Sequence, residues 1–201
     1  MIKRNQLIYA IKDGVATSIE NVESGLKCGC ICPSCGEPLV ARKGAKRRHH
    51  FAHYSGHNCE YGYETSLHLA AKEILSKANR IMLPAVYIQF PNSPKAPELY
   101  CESKEIEIER VELEKRFQDV IPVIYAGGKQ LFLEVYVTHA IDDVKLKKLK
   151  ESDISTIEID LSRKEHSISL EELQNVLLDE SDEKKWVYNS VANKYLQYFY
   201  A

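Results

Sequence analysis

Between Cys28 and Cys59 the chain places five of its six cysteines and four of its seven histidines, with few large aliphatic side chains among them. Such a stretch cannot build a core of its own, so a metal is expected to stand in for one. In Cys32-Pro-Ser-Cys35-Gly36 a two-residue spacer lets both thiolates reach one ion, and Gly36 permits the turn. A second ligand pair is then required, and His50-Phe-Ala-His53 followed by Cys59 supplies it. We expect Cys32, Cys35, His53 and Cys59 as ligands, with His50 or His57 as substitutes. Four N/S donors without an open position predict a structural Zn²⁺ site. Free thiols beside surface histidines are the alternative, and four cysteines between residues 28 and 35 argue against it. Cys28 and Cys30 could compete as ligands, form a second half-site or fill a core; core filling is favoured. Cys101 has no neighbouring cysteine and reads as structural.

A chain of 201 residues with 44% hydrophobic content can hold one ordinary core plus a small appended module. Its formal net charge of −2 gives no overall basic field, so any nucleic-acid contact has to come from a local patch. Arg42-Lys43-Gly-Ala-Lys46-Arg47-Arg48 is such a patch and predicts phosphate contact, with a solvated basic loop as the alternative. The start of the chain does not read as a signal peptide, and no run approaches the roughly 20 apolar residues of a spanning helix. The expectation is a cytoplasmic protein with reduced cysteines and no membrane partner.

Along the chain, residues 6–31 suggest a hairpin turning at Asp13-Gly14. Glu64 to Lys77 reads as the clearest helix, with Leu67, Ala70, Ala71, Ile74 and Leu75 on one face. Extended structure is expected over Val86–Phe90 and as a single strand from Lys104 to Leu113. Two buried strands, 120–125 and 130–137, then form a hairpin about Gly127-Gly128. A helix over 141–150, a strand over 155–161 and helices over 169–178 and 184–200 complete the reading. The expected division is 1–62 for hairpin and zinc module, 63–164 for an α/β core and 165–201 for a helical extension. The terminal aromatics Trp186, Tyr188, Tyr195, Tyr198, Phe199 and Tyr200 offer a surface for a second copy or a protein partner.

Two acids sit where apolar strands should not carry them: Asp119 in Phe-Gln-Asp-Val-Ile and Glu134 in Leu-Glu-Val-Tyr-Val. An ionised carboxylate in a buried strand calls for a cation or partner, and oxygen donors of this kind suit Mg²⁺ or Mn²⁺. The hairpin register brings the two near each other, with Tyr136 on the same strand face as Glu134. Tyrosine supplies no fixed positive charge, so a cation must come from Lys72, Arg116 or Lys145. Glu64, His68 and Lys72 recur at i, i+4 and i+8 along one helix stripe. They could assist a metal site, with Glu64 as an extra donor, or form a solvated ladder.

These motifs stand in one order: Cys32-Pro-Ser-Cys35, His50-Phe-Ala-His53, Glu64-Thr-Ser-Leu-His68-Leu-Ala-Ala-Lys72, Arg116-Phe-Gln-Asp119-Val120 and Glu134-Val-Tyr136. Over roughly residues 5–161 the set resembles the CoiA-like competence nuclease family, which pairs a zinc module with a PD-(D/E)XK-like core. The resemblance implies an α/β fold with an αβββαβ mixed-sheet core, a zinc-ribbon-like N-terminal module and C-terminal helices. It also implies a Mg²⁺-dependent deoxyribonuclease hydrolysing phosphodiester bonds. Its metal would lie on Asp119, Glu134 and Glu64, with His68, Lys72, Tyr136 and Lys145 completing the catalytic group. DNA would meet Arg42, Lys43, Lys46, Arg47, Arg48 and Arg116. Tyr136 stands where family members carry lysine or glutamine, and residues 138–145 differ as well, which suggests a sister branch. A catalytically decayed DNA-binding or adaptor protein is the alternative.

Overall fold

A computed structural model describes residues 6–57, 59–116, 119–138, 141–164 and 168–200, with backbone alone for 114–116, 119–121 and 199–200. The chain divides into two units, Met1–Ile74 with Ser162–Gln174 and Leu75–Leu161 with Asn175–Ala201. These units cut across the boundaries expected at 62 and 164. Among the described residues no helix is long and apolar enough to cross a membrane.

In the first unit, β1 (Tyr9–Lys12) and β2 (Val15–Ser18) form an antiparallel hairpin. Its turn residues Asp13 and Gly14 both take positive φ, the conformation an Asp-Gly pair adopts at low cost. A second hairpin joins β3 (Leu39–Arg42) to β4 (His50–His53), pairing Leu39 with His53 and Arg42 with His50. The Cys/His segment does share a core, because aliphatic side chains arrive from outside it. Leu7, Ala10, Ile19 and Val22 pack with Leu39, Ala41 and Phe51 around the buried Cys28, Cys30, Cys32 and Cys59.

Helix α1 (Gly62–Ser76) buries Leu67, Ala70, Ala71 and Leu75, the expected face save for the half-buried Ile74. The hydroxyl of its fully buried Ser66 accepts from the Ile8 and Tyr9 amides, at 3.2 and 3.0 Å, and donates to the Tyr9 carbonyl. One side chain thus satisfies three backbone groups at the entry to β1.

The second unit opens with β5 (Arg80–Leu83), β6 (Val86–Ile88), β7 (Glu98–Cys101) and β8 (Lys104–Glu107), in which β5 pairs β8 and β6 pairs β7. Then come β9 (Arg110–Arg116), β10 (Asp119–Ala126), β11 (Lys129–Tyr136), α2 (Asp143–Glu151) and β12 (Ser155–Asp160). The chain ends with α3 (Leu170–Leu178), β13 (Lys184–Tyr188) and α4 (Ser190–Tyr200). Five strands make one sheet in the order β13-β12-β11-β10-β9. All its pairings are antiparallel except β11 with β12, which α2 connects as a crossover. Val123, Phe132 and Leu149 form a buried cluster between sheet and α2, joined by Tyr125, Ile141 and Ile154.

Two expected elements split. The strand foreseen over 104–113 breaks at Ile108-Glu109, whose amides turn to the carbonyls of Asn79 and Tyr125. Its halves therefore serve different pairings, β8 with β5 and β9 with β10. The helix foreseen over 184–200 is β13 followed by α4. Lys-Lys-Trp-Val-Tyr favours extended backbone, Trp186 donates its ring N–H to the Pro84 carbonyl, and Asn189 caps α4 by accepting from the Ala192 amide.

Candidate zinc centre and buried carboxylate site

The β3–β4 hairpin places His53 opposite Leu39, beside the Cys32–Cys35 turn, while Cys59 arrives just ahead of α1. One donor atom from each of Cys32, Cys35, His53 and Cys59 lies within 4.8 Å of all the others. Cys35 Sγ is 3.3 Å from His53 Nε2. Tetrahedral zinc holds such donors roughly 3.5–3.8 Å apart, so this S₃N set fits Zn²⁺ with modest contraction. Burial lowers the His53 pKa and keeps the ring in the neutral form that ligates. The same effect pushes Cys32 up to about 11. Cys59 is also opposed by burial, yet hydrogen bonds from Ser34, Cys35 and Cys32 hold it below its usual value. At Gly62 a Cβ would lie 3.3 Å from Cys59 Sγ, close enough to press on that ligand.

The substitutes do not join this cluster. His50 donates Nδ1–H to the Arg48 carbonyl at 2.9 Å, and His57 stacks edge-on against His53. Cys28 and Cys30 point their thiols at the carbonyls of Leu39 and Cys28, and burial raises Cys30 to about 12. They fill the core.

The basic loop closes β3 onto β4. Arg42, Lys46, Arg47 and Arg48 line a cavity of about 350 Å³ together with His50. Lys43 does not line it, because its amine is tied to the carbonyls of Glu20 and Val22 at 3.0 Å each. Arg48 grips both carboxylate oxygens of Glu172 at 2.7 and 2.8 Å. The backbone N–H of Ser169 is the main reason the Glu172 carboxyl stays below its ordinary pKa. Glu172 and Ser169 form a reciprocal capping box at the head of α3.

In the second unit Glu134 on β11 is 7% exposed, and Lys145 on α2 places its ammonium 2.8 Å from Glu134 Oε2. Parallel pairing sets Glu134 beside Glu158 of β12, itself only 1% exposed. Lys185 reaches across from β13 to within 2.6 Å of Glu158 Oε1, and the Ile141 amide donates to Glu158 Oε2. Two carboxylates removed from water are thus each met by an ammonium group, as the desolvation cost of a buried charge demands. Glu158 and Lys185 escaped the sequence reading. The signal was present, since Thr-Ile-Glu-Ile-Asp embeds an acid in an apolar strand just as 133–137 does.

Tyr136 is half-buried, and its carbonyl accepts from Leu161. Asp119 pairs with Arg116 through the backbone at the β9–β10 turn, while both side chains lie outside the described residues. In the first unit, Glu64 and His68 approach to 3.7 Å along α1, and Lys72 lies half-buried further along the helix. Of the terminal aromatics, Trp186 and Tyr188 are engaged within the second unit and Tyr195 packs against Tyr100. Tyr198 faces outward, and the side chains of Phe199 and Tyr200 lie outside the described residues.

Residues 17–62 match the family described as Competence protein CoiA, N-terminal domain. The match spans β3, the basic loop, β4 and all four candidate zinc ligands, and it supports a CoiA-like family. No curated protein and no solved structure matches the chain.

Proposed function

We propose that the protein is a metal-dependent DNA nuclease hydrolysing phosphodiester bonds, with its zinc-bearing unit assisting DNA binding. The observation that carries this reading is the pair Glu134–Lys145, a buried strand carboxylate with an ammonium 2.8 Å away. The second unit adds β9, β10 and β11 as a meander, then α2 and a parallel β12. That sequence of elements supports a PD-(D/E)XK-like core. The match to a competence protein's domain suggests a competence-related role.

Glu134 and Asp119 offer carboxylate oxygens suited to a hard divalent cation. Bound there, Mg²⁺ or Mn²⁺ would supply an activated water and offset charge on the phosphate. The remaining work falls to the protein's own groups. Lys145 provides the fixed positive charge that Tyr136 cannot, and it can shift from Glu134 to a phosphate oxygen. Its place is set by the α2 cap, where Asp142 accepts from the Lys145 amide at 2.6 Å, and by the Glu158–Ile141 bond just before it. The Tyr136 hydroxyl can donate to a phosphate oxygen.

Plasmid and single-stranded DNA should be cut by the wild type in Mg²⁺ or Mn²⁺, and not by Glu134→Ala or Asp119→Ala. A second reading, a DNA-binding protein without hydrolysis, draws on the two lysines that already neutralise Glu134 and Glu158. Retention of DNA without cleavage in either metal would favour it.

A further inference from the structure

The cavity beneath the basic loop carries more specificity than a backbone-tracking surface requires. Cations that follow a nucleic-acid backbone spread along it, each meeting a diester with one negative charge. Here the β3–β4 register folds the loop back on itself, so Arg42, Lys46 and Arg47 converge on one space of about 350 Å³. None of the three makes an ion pair among the described residues. Arg48, which also lines the cavity, is already held by Glu172.

His50 adds a second kind of group. It lines the cavity, is 7% exposed, and its Nδ1 sits 2.9 Å from the Arg48 carbonyl. A carbonyl can only accept, so Nδ1 carries the proton and Nε2 of the neutral ring is left as an acceptor. An acceptor beside cations suits an anion that has a hydroxyl donor next to it, as the sugar at a nucleic-acid end does. A phosphodiester carries one negative charge, whereas a terminal phosphate monoester carries close to two near neutrality, so cations converging on one space favour the monoester.

We infer that Arg42, Lys46, Arg47 and His50 form a pocket for the terminal phosphate monoester of a nucleic-acid end. This deepens the nucleic-acid reading above and rests on it, but it does not require hydrolysis. The ammonium and guanidinium groups meet the phosphate oxygens, and His50 Nε2 accepts from a neighbouring sugar hydroxyl.

The test is fluorescence anisotropy with the full zinc-loaded chain, without added Mg²⁺ or Mn²⁺, so that binding is read without cleavage. Oligonucleotides of one sequence carry a 5′-phosphate, a 3′-phosphate or hydroxyls only. One phosphorylated form should bind roughly tenfold tighter than the hydroxyl form, the worth of one charge-assisted contact. Arg47→Gln and Lys46→Gln, both at exposed positions, should each shrink that preference while zinc content stays intact. Equal affinity for all three oligonucleotides would overturn the proposal. So would full competition by inorganic phosphate or a free mononucleotide at the oligonucleotide's own concentration, which would assign the pocket to small phosphates. Cleavage assayed separately in Mg²⁺ reports on the nuclease reading alone.

Discussion

An ionised side chain buried in a sheet survives only with compensation, and Glu134 shows how this chain provides it. Lys145 answers Glu134, Lys185 answers Glu158, and the Ile141 amide ties the second acid to the start of α2. Lys145→Ala should slow cleavage by about 10²-fold, the usual effect of removing one group that stabilises transition-state charge. Lys145→Arg should restore part of the rate, and single-turnover cleavage distinguishes the two. The same Ala variant leaves Glu134 without that ammonium, so chemical denaturation should show a loss of about 1–3 kcal/mol. Glu158→Gln keeps an acceptor for Ile141 but drops the charge facing Lys185. Because the Ile141 bond that places the start of α2 survives, kcat should stay near wild type while stability falls, whereas Glu158→Leu removes that bond and should lower kcat with little change in KM.

At the scale of elements, the zinc hairpin and β13 make separable predictions. Zinc binding must expel the thiol proton that burial holds on Cys32 up to about 11. The metal-free form therefore binds more protons, and zinc affinity rises with pH. Colorimetric zinc release should be negligible at neutral pH and grow on acidification, while Cys59→Ala releases zinc throughout.

Lys184 of β13 is buried, and its ammonium is pushed down to about 8 from 10.5, although its amine donates to the carbonyls of Met82 and Glu180. The unfolded chain therefore binds more protons between these values, so stability should rise as pH climbs from about 8 toward 10.5. Urea unfolding at pH 7.5 and 9.5 checks this, and Lys184→Met should flatten the dependence.

Local patterns were the legible ones. The α1 stripe, the Asp13-Gly14 and Gly127-Gly128 turns and the Cys32–Cys35 knuckle follow from spacing over a few residues. Their turn glycines do take positive φ. What stayed hidden depends on distant partners. Lys184–Tyr188 is a strand because β12 offers an edge, and Glu158 matters because a parallel crossover sets it beside Glu134.

Over the whole molecule, a net charge of −2 gives no overall basic field, so nucleic-acid contact has to come from local patches such as the loop from Arg42 to Arg48. Nucleic-acid affinity should therefore fall with salt on a shallow slope set by a few phosphate contacts, each adding about 0.7–0.9 to it. The core of the zinc unit was illegible for a related reason, since its aliphatics come from residues 7–22 and pack on a segment that has few of its own. The proposed nuclease activity rests on hydrolysis of DNA at the Glu134–Lys145 site. The most direct measurement is cleavage of plasmid and single-stranded DNA in Mg²⁺ or Mn²⁺ by wild type, Glu134→Ala and Lys145→Ala, each confirmed to be folded and zinc-loaded. Metal-dependent cutting by the wild type, abolished in the first variant and about 10²-fold slower in the second, is the result predicted. Undiminished cutting by Glu134→Ala, or none by the wild type in either metal, would contradict it.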